Sequence, residues 1–157
     1  MDLALSPEQE MLKNTARRFL EQQCPHGRVR ETLGSEDGFD RDIWKQVVDL
    51  GWTAMLIPEE HGGIGSTFTD VGILMEELGR GLPQIPYFST AVLGALTILA
   101  GGSDEQKSEY LPRVLSGEVA WAQGYSEPSA GSDLASLQTR AVRDGDDFVI
   151  NGQKTWT

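Results

Sequence analysis

The spacing of apolar residues changes near residue 119, and this change constrains the fold more than any other feature. Before it, apolar residues recur at intervals of three and four, the period of amphipathic helices. Residues 137–157 instead alternate between apolar and polar and contain Asp-Gly and Asn-Gly pairs, which is typical of strands joined by tight turns. The pattern predicts an α+β fold. An N-terminal all-α helical bundle at residues 1–119 is followed by the beginning of an antiparallel β-sheet or β-barrel domain at residues 120–157.

Capping signals mark where the helices of the first part begin. In a capping box, an N-cap Ser or Thr and a Glu or Gln three residues later satisfy each other's backbone N–H groups. Ser6 and Gln9 have this spacing, and so do Ser103 and Gln106. The run 87–100 is apolar on nearly every side, so we expect it at the centre of the bundle. The five predicted helices begin near positions 6, 40, 68, 87 and 103.

The β part carries two further strand signals. Residues 119–126, VAWAQGYS, are apolar and strand-like. Asn151-Gly152 between alternating flanks is a strong hairpin signal, so another strand is expected over residues 153–157. A sheet that ends on so short a strand would leave an apolar face uncovered. We therefore expect a fragment of a larger protein, or a subunit that another chain completes.

Composition excludes several classes of protein. The net charge is −11 and no basic patch is visible, which argues against nucleic-acid binding. The single cysteine, Cys24, excludes an internal disulfide and fits a reducing compartment. The first ten residues lack a signal-peptide pattern, and the apolar segment 88–102 is too short to cross a bilayer. We expect a soluble, cytoplasmic protein that contacts neither membrane nor nucleic acid.

Phosphate and metal sites find little support in the residue spacings. The loop 61–68, HGGIGSTF, follows an apolar run and precedes a helix, but it matches neither the Rossmann nor the Walker pattern. A connecting loop is the favoured interpretation.

A metal site would have to use Cys24, His26 and His61, and nothing supplies a second closely spaced pair. We predict that these three residues lie at the surface and bind no metal.

The acidic residues likewise indicate no clear general base. Glu76 and Glu77 are adjacent, so they point to different sides of a helix. Glu127 stands beside Pro128 in a small-residue loop, where a carboxylate can act as a base or can brace the loop through backbone N–H groups. No Ser-His-Asp or Cys-His arrangement follows from the spacings. No catalytic residue is predicted.

The loop at 124–134, GYSEPSAGSDL, is the strongest candidate for a binding site. Its small residues and hydroxyls could lay the main chain against a flat, polar or anionic ligand. A turn followed by a capping Ser or Asp would use the same residues. The surrounding strand signals and the aromatic Trp156 favour ligand binding.

Two motifs in this region carry a resemblance to a known family. The segment 125–134, YSEPSAGSDL, followed by 150–157, INGQKTWT, resembles the flavin-binding signature of the acyl-CoA dehydrogenase family. Three segments of the first part resemble that family's N-terminal helical domain, so the likeness covers the whole chain. These segments are PEEHGGIG (58–65), EELGRG (76–81) and SDEQKSEYLPRVLSGE (103–118).

The resemblance implies an enzyme of fatty-acid or lipid metabolism with FAD as cofactor and an acyl-CoA thioester as substrate. In the family, a glutamate takes the Cα proton while Cβ delivers a hydride to flavin N5. That glutamate lies downstream of the residues present here, so this chain alone is expected to be inactive. An electron-transfer flavoprotein as electron acceptor and a homo- or hetero-tetrameric assembly are also implied.

The resemblance also assigns roles to individual residues. Gln123, Tyr125 and Ser126 match the segment beside the pyrimidine edge of the flavin ring. Gly131 and Ser132 match the turn where flavin and substrate meet, and Ser132 is the implied substrate contact. Trp156, with Thr157 beside it, matches an aromatic residue packed near the flavin. A set of helix residues resembles the family's acyl-chain wall, although any buried helix would carry similar side chains: Tyr87, Phe88, Val92 and Leu96.

Two departures and three alternatives accompany this interpretation. Tyr125 is bulkier than the small apolar residue common at its position, and Ser129 stands where Gly is frequent. An acyl-CoA oxidase or a flavin-dependent monooxygenase would use the same scaffold. A non-catalytic helical interaction module with a merely structural loop is the third alternative.

Overall fold

The computed structural model describes residues 4–157. Its contacts divide the chain after Trp121 into a helical unit and a smaller unit, Ala122–Thr157. Among the described residues, no helix is long and apolar enough to cross a membrane. The α-helices are α1 (Pro7–Gln23), α2 (His26–Leu33), α3 (Arg41–Asp49), α4 (Phe68–Gly81), α5 (Ala95–Gly101) and α6 (Asp104–Leu115); a π-helix spans Phe88–Gly94, and the strands are β1 (Arg140–Asp144) and β2 (Asp147–Asn151).

Local capping explains where most helices begin, as the sequence predicts. The Ser6 hydroxyl accepts the Gln9 N–H at 3.2 Å, while the Gln9 side chain accepts the Ser6 N–H at 3.0 Å. The same reciprocal box opens α6 at Ser103. Thr67 opens α4 through a box that the sequence reading did not identify, in which Asp70 takes the place of Glu or Gln. These boxes satisfy N–H groups that the helices cannot bond internally.

Two apolar clusters form the core of the helical unit. The larger joins α1, α3 and α4 around Ala16, Val47 and Leu74, which are fully buried. The smaller joins α5 and α6 and includes Ile57 from the connecting segment. Met11 of α1 and Phe68 of α4 lie outside both clusters and are about two-thirds exposed, at 68% and 69%.

Helix α2 was not predicted, because its local signals are weak. Its N-cap is Pro25, which provides no side-chain cap, and no described residue of the helix is buried. A tertiary contact holds it instead. Arg28 donates to both carboxylate oxygens of Asp40, at 2.6 and 2.8 Å, while Asp40 also caps α3 by accepting the Ile43 N–H. A bidentate pair of this kind is among the stronger polar contacts.

The predicted central helix at 87–100 differs from expectation in two ways. It begins as a π-helix over Phe88–Gly94 and only then becomes α5. It is also not buried on every side, since Phe88 is 51% exposed. Its buried side faces Trp121, whose backbone N–H donates to the Thr90 hydroxyl at 2.9 Å.

The smaller unit contains one antiparallel hairpin. Strand β1 pairs with β2 in the register Val142–Val149, and the two-residue loop between them is Gly145-Asp146. Gly145 occupies the left-handed region at φ 64°, as the first loop residue of a type II′ turn does. Both strands are exposed along their whole length. The predicted hairpin is therefore confirmed, although its loop is Gly145-Asp146 and not the Asp144-Gly145 pair.

Two other strand predictions were wrong. Residues 119–126 form no strand among the described residues. Asn151-Gly152 forms no hairpin, because neither residue has the positive φ that a type I′ turn needs. A Cβ at Gly152 would lie 2.6 Å from the Thr139 Cβ, so this glycine permits a close backbone passage instead of a turn.

Candidate functional site

The glycine-rich loop after residue 61 serves the helical unit's own backbone. The N–H groups of Gly63, Ile64 and Gly65 donate to carbonyls of Pro58, Ala54 and Ile57. A Cβ at Gly63 would collide with the Ile57 backbone. Because these donors are already used within the chain, the connecting-loop interpretation fits and a phosphate cradle does not.

The segment 123–126 and the segment 154–157 lie side by side in the smaller unit. The Thr155 backbone N–H donates to the Ser126 carbonyl at 2.8 Å. The Lys154 ammonium donates to the Tyr125 carbonyl at 3.0 Å. These two contacts bring Trp156 next to the chain segment that carries Tyr125 and Ser126.

Glu127 is the buried polar centre of this unit. Its carboxylate accepts the backbone N–H groups of Gln138 at 2.7 Å and Thr139 at 3.0 Å. The Lys154 ammonium donates to the same carboxylate at 3.0 Å. Only 3% of the Glu127 side chain is exposed. Glu127 therefore braces the loop, as one of the two sequence interpretations held.

Electrostatics agree with this bracing role. The pKa of Glu127 is lowered to about 2, because the nearby Thr139 side chain, the Gln138 N–H and the Lys154 ammonium favour the charged form. These effects outweigh burial, which acts in the opposite direction. A carboxylate that is ionised this firmly and fully engaged is poorly suited to accept a proton near neutral pH.

A tight turn follows Glu127. The Glu127 N–H donates to the Ala130 carbonyl at 2.7 Å and the Ala130 N–H donates back at 3.2 Å, so Pro128 and Ser129 form the turn between them. Ser129 does not adopt a positive φ, and replacing the family's frequent Gly imposes no left-handed strain there.

Gly131 and Ser132 lie in an exposed bend just beyond this turn. A Cβ at Gly131 would meet no atom within 4 Å. Neither a positive φ nor a close neighbour within the chain therefore requires a glycine at position 131. Gln123 is half-buried at the other end of the loop.

Trp156 is the most exposed large apolar residue of the described chain. Its side chain is 95% exposed, and its φ of 62° lies in the left-handed region that bulky residues rarely occupy. Thr157 beside it is also exposed. Backbone outliers of this kind cluster at binding sites.

The helix residues that resemble an acyl-chain wall do not share one environment. Tyr87 belongs to the core, where its hydroxyl donates to the Trp52 carbonyl at 3.0 Å and burial raises its pKa. Phe88 is half-exposed, and Val92 packs against the core. The buried Tyr87 and the half-exposed Phe88 thus have different surroundings.

The three residues considered for a metal site, Cys24, His26 and His61, do not belong to any group of metal ligands among the described residues. Among residues 4–157, no three His, Cys, Asp or Glu side chains are grouped to hold an ion. Cys24 is buried, so the prediction that it lies at the surface was wrong. This burial raises the pKa of its thiol. A raised thiol pKa makes this cysteine a weak nucleophile and metal ligand.

Lys154 is the site residue that sequence reasoning missed. It belongs to the quoted Asn-Gly-x-Lys motif, yet its role depends on Glu127, which lies 27 positions earlier in the chain. The only sequence signal for this role was the lysine within INGQKTWT (150–157), a motif that the resemblance assigns to flavin binding.

Comparison with known proteins gives consistent matches along the chain. The model of the acyl-CoA dehydrogenase N-terminal domain matches residues 6–118, and that of the middle domain matches residues 122–157. Acyl-CoA dehydrogenase FadE26 of Mycobacterium tuberculosis is 40% identical over 163 residues, covering 100% of this chain and 40% of that protein.

Solved structures agree in fold over the full chain. The ChsE4-ChsE5 complex from Mycobacterium tuberculosis matches with a TM-score of 0.87 and 41% identity, covering 100% of this chain and 40% of the other. The Tcur3481-Tcur3483 steroid ACAD matches with a TM-score of 0.85 and 38% identity, covering 100% and 41%. The chain thus spans about two-fifths of the length of these relatives. It belongs to the acyl-CoA dehydrogenase family.

Proposed function

We propose that the complete protein containing this chain is an FAD-dependent acyl-CoA dehydrogenase, which removes hydrogen from the α and β carbons of an acyl-CoA thioester. The observation that carries the proposal is the pairing of segment 123–126 with segment 154–157. The Thr155–Ser126 hydrogen bond joins the two stretches in which the family's flavin signature lies.

The residues of the smaller unit fit a planar aromatic cofactor. Trp156 offers an exposed indole, and Gly131 leaves open space beside the backbone. FAD, when bound, supplies the acceptor for the hydride that leaves Cβ. In this proposal Trp156 and Thr157 lie against the flavin ring.

The other proposed flavin contacts exclude the backbone carbonyls that already accept hydrogen bonds within the chain. The carbonyls of Tyr125 and Ser126 accept Lys154 and Thr155, so the proposed flavin contacts of this segment are its N–H groups and the Ser126 hydroxyl. Gln123 extends the same edge. Gly131 and Ser132 would lie where cofactor and thioester meet, with the Ser132 hydroxyl as donor.

No catalytic base is proposed within these residues. Glu127, the glutamate of the flavin-signature loop, braces that loop, and its pKa is lowered to about 2. The proton would be taken by a glutamate supplied elsewhere in the complete protein, as the family resemblance implies.

Substrate and assembly are proposed from two related structures. One relative is described as a steroid ACAD, and another is a complex of two different proteins. This chain is about two-fifths identical to each of them over the whole length of the chain. We therefore propose a bulky acyl group and a heterotetramer, with a homotetramer as the alternative.

The electron acceptor and location follow from the same family assignment. We propose an electron-transfer flavoprotein as acceptor and a cytoplasmic enzyme of lipid metabolism. One structural relative, the prolyl acyl carrier protein oxidase AnaB, matches at 26% identity with a TM-score of 0.78. This relative favours an oxidase as the second candidate, in which oxygen replaces the protein acceptor.

Colour and bleaching of the complete protein test this proposal. The purified protein should be yellow, should release flavin on unfolding, and should lose visible absorbance when an acyl-CoA is added without oxygen. Steroid-type acyl-CoA should bleach it faster than straight-chain acyl-CoA. A colourless protein that takes up no FAD would instead support a helical interaction module. Rapid oxygen consumption during turnover would identify the oxidase.

A further inference from the structure

We propose that Glu127 and Lys154 act as positioning residues, a clamp that fixes the separation of the two segments assigned to the flavin. The clamp rests on the proposed function, because its purpose is defined by the ligand between those segments. Neither side chain is proposed to contact substrate or to take part in the chemical step.

Lys154 connects the two segments directly. Its ammonium, on the segment that carries Trp156, donates to the Tyr125 carbonyl and to Glu127, both at 3.0 Å. Removal of this one charged group would leave the Thr155–Ser126 bond as the remaining polar link described between the segments. Lys154 thus determines how closely Trp156 is held to Tyr125.

The stem of Lys154 passes close to the backbone of Gly124. A Cβ at Gly124 would lie 3.0 Å from the Lys154 Cγ and 3.3 Å from its Cβ. The absence of a side chain at Gly124 therefore lets the lysine stem cross the first segment.

Glu127 ties this pair to a third segment. It accepts the N–H groups of Gln138 and Thr139, which lie just before strand β1. One buried carboxylate therefore links the loop, the hairpin and the Trp156 segment. Because a buried charge needs all its partners, displacing Lys154 would disturb all three segments together.

A purely structural brace would stabilise the unit without altering the ligand. Such a brace predicts lower thermal stability but an unchanged spectrum and affinity for FAD in the molecules that remain folded. Positioning predicts a changed flavin environment in fully loaded, folded protein. The two roles are therefore separable by measurement on the holoenzyme.

The test compares K154M, K154R and E127Q in the complete protein, with K45M as control. Lys45 is an exposed lysine of α3 whose ion pair with Asp49 lies in the helical unit. K154M and E127Q should raise the dissociation constant of FAD about tenfold or more, since each removes a charge-assisted hydrogen bond. Both should shift the visible spectrum of bound flavin at saturating FAD. K154R should recover most of the affinity, and K45M should match wild type.

The outcomes distinguish this inference from the proposed function. If wild-type protein binds FAD and K154M binds it with unchanged affinity and spectrum, the clamp is refuted while the flavoprotein assignment stands. If wild-type protein binds no FAD, both are refuted. Should K154M fail to fold, the spectrum and FAD affinity of E127Q decide the matter: wild-type values in this variant refute the clamp.

Discussion

Glu77 and Glu127 are the two carboxylates that residues 4–157 bury almost completely. Burying a charge costs several kcal/mol unless partners compensate. Glu77 is compensated by Arg17, which donates to both of its oxygens at 2.7 and 3.0 Å, with Arg80 at 3.7 Å. Glu127 relies mainly on backbone N–H groups and one lysine. Each carboxylate therefore holds together segments that are distant in sequence.

Replacing Arg17 should destabilise helices α1 and α4 more than replacing Glu77 does. R17M leaves a buried carboxylate short of a partner and should lower the opening free energy of α1 and α4 by about 3 kcal/mol. E77Q leaves Arg17 half-exposed to water and should cost about 1 kcal/mol. Native-state hydrogen exchange of amides in both helices measures each loss.

The neighbouring surface pair provides the control for that experiment. Lys13 and Glu76 join the same two helices at 4.0 Å, and Glu76 is 59% exposed. K13M should change the opening free energy by less than about 1 kcal/mol. Equal losses in R17M and K13M would contradict the special role of the buried pair.

Acid should weaken the smaller unit through Glu127. Its pKa falls from the usual 4.5 to about 2 in the folded chain, so its stabilising contribution is complete above pH 4.5. That contribution is lost as the pH falls from 4.5 towards 2. Hydrogen exchange at Gln138 and Thr139 should accelerate over this window, relative to intrinsic rates, and E127Q should remove that dependence. An unchanged profile in E127Q would show that another group is responsible.

At the scale of elements, the π-helix is where packing overrides local preference. Gly94 closes it, and a Cβ there would lie 3.0 Å from the Trp121 Cγ and 3.2 Å from the Ser89 carbonyl. The Trp121 ring in turn packs edge-on against Tyr110 of α6. The Gly94–Trp121 contact joins this helix to the segment that ends the helical unit.

The same substitution should therefore have opposite effects at two glycines. G94A forces Trp121 aside and should lower the opening free energy of α5 by about 1–3 kcal/mol. G72A lies on an exposed part of α4, where a Cβ meets nothing within 4 Å, and should raise the opening free energy of α4 by about 0.5–1 kcal/mol. Hydrogen exchange of the respective helices measures both. Stabilisation by G94A would contradict the packing described here.

Elements that depend on local interactions could be predicted from sequence, and the others could not. The capping boxes at Ser6 and Ser103 and the turn at Gly145 involve residues within a few positions of each other. Helix α2 depends on Arg28 reaching Asp40, and the π-helix packs against Trp121. The hairpin predicted at Asn151-Gly152 was wrong, because the backbone at Gly152 lies too close to Thr139 to leave room for a side chain. This close approach, and not a turn, accounts for the glycine.

At the scale of the whole molecule, the site divides in the same way. The loop at 124–134 and Trp156 could be identified from sequence, since small residues and an aromatic mark them. The pairing of these segments through Lys154 and Thr155 could not, because both bonds join residues 29 positions apart. The fold assignment rests on the whole chain, whereas the proposed function rests on that pairing.

The most direct test is hydrogen–deuterium exchange of the complete protein with and without saturating FAD. The account predicts that FAD slows exchange in segments 123–126 and 131–132 and at residues 156–157. Exchange at the hairpin tip, Gly145–Asp146, should not change. If FAD binds and residues 123–126, 131–132 and 156–157 exchange as fast as in the apoprotein, the proposed flavin contacts are contradicted.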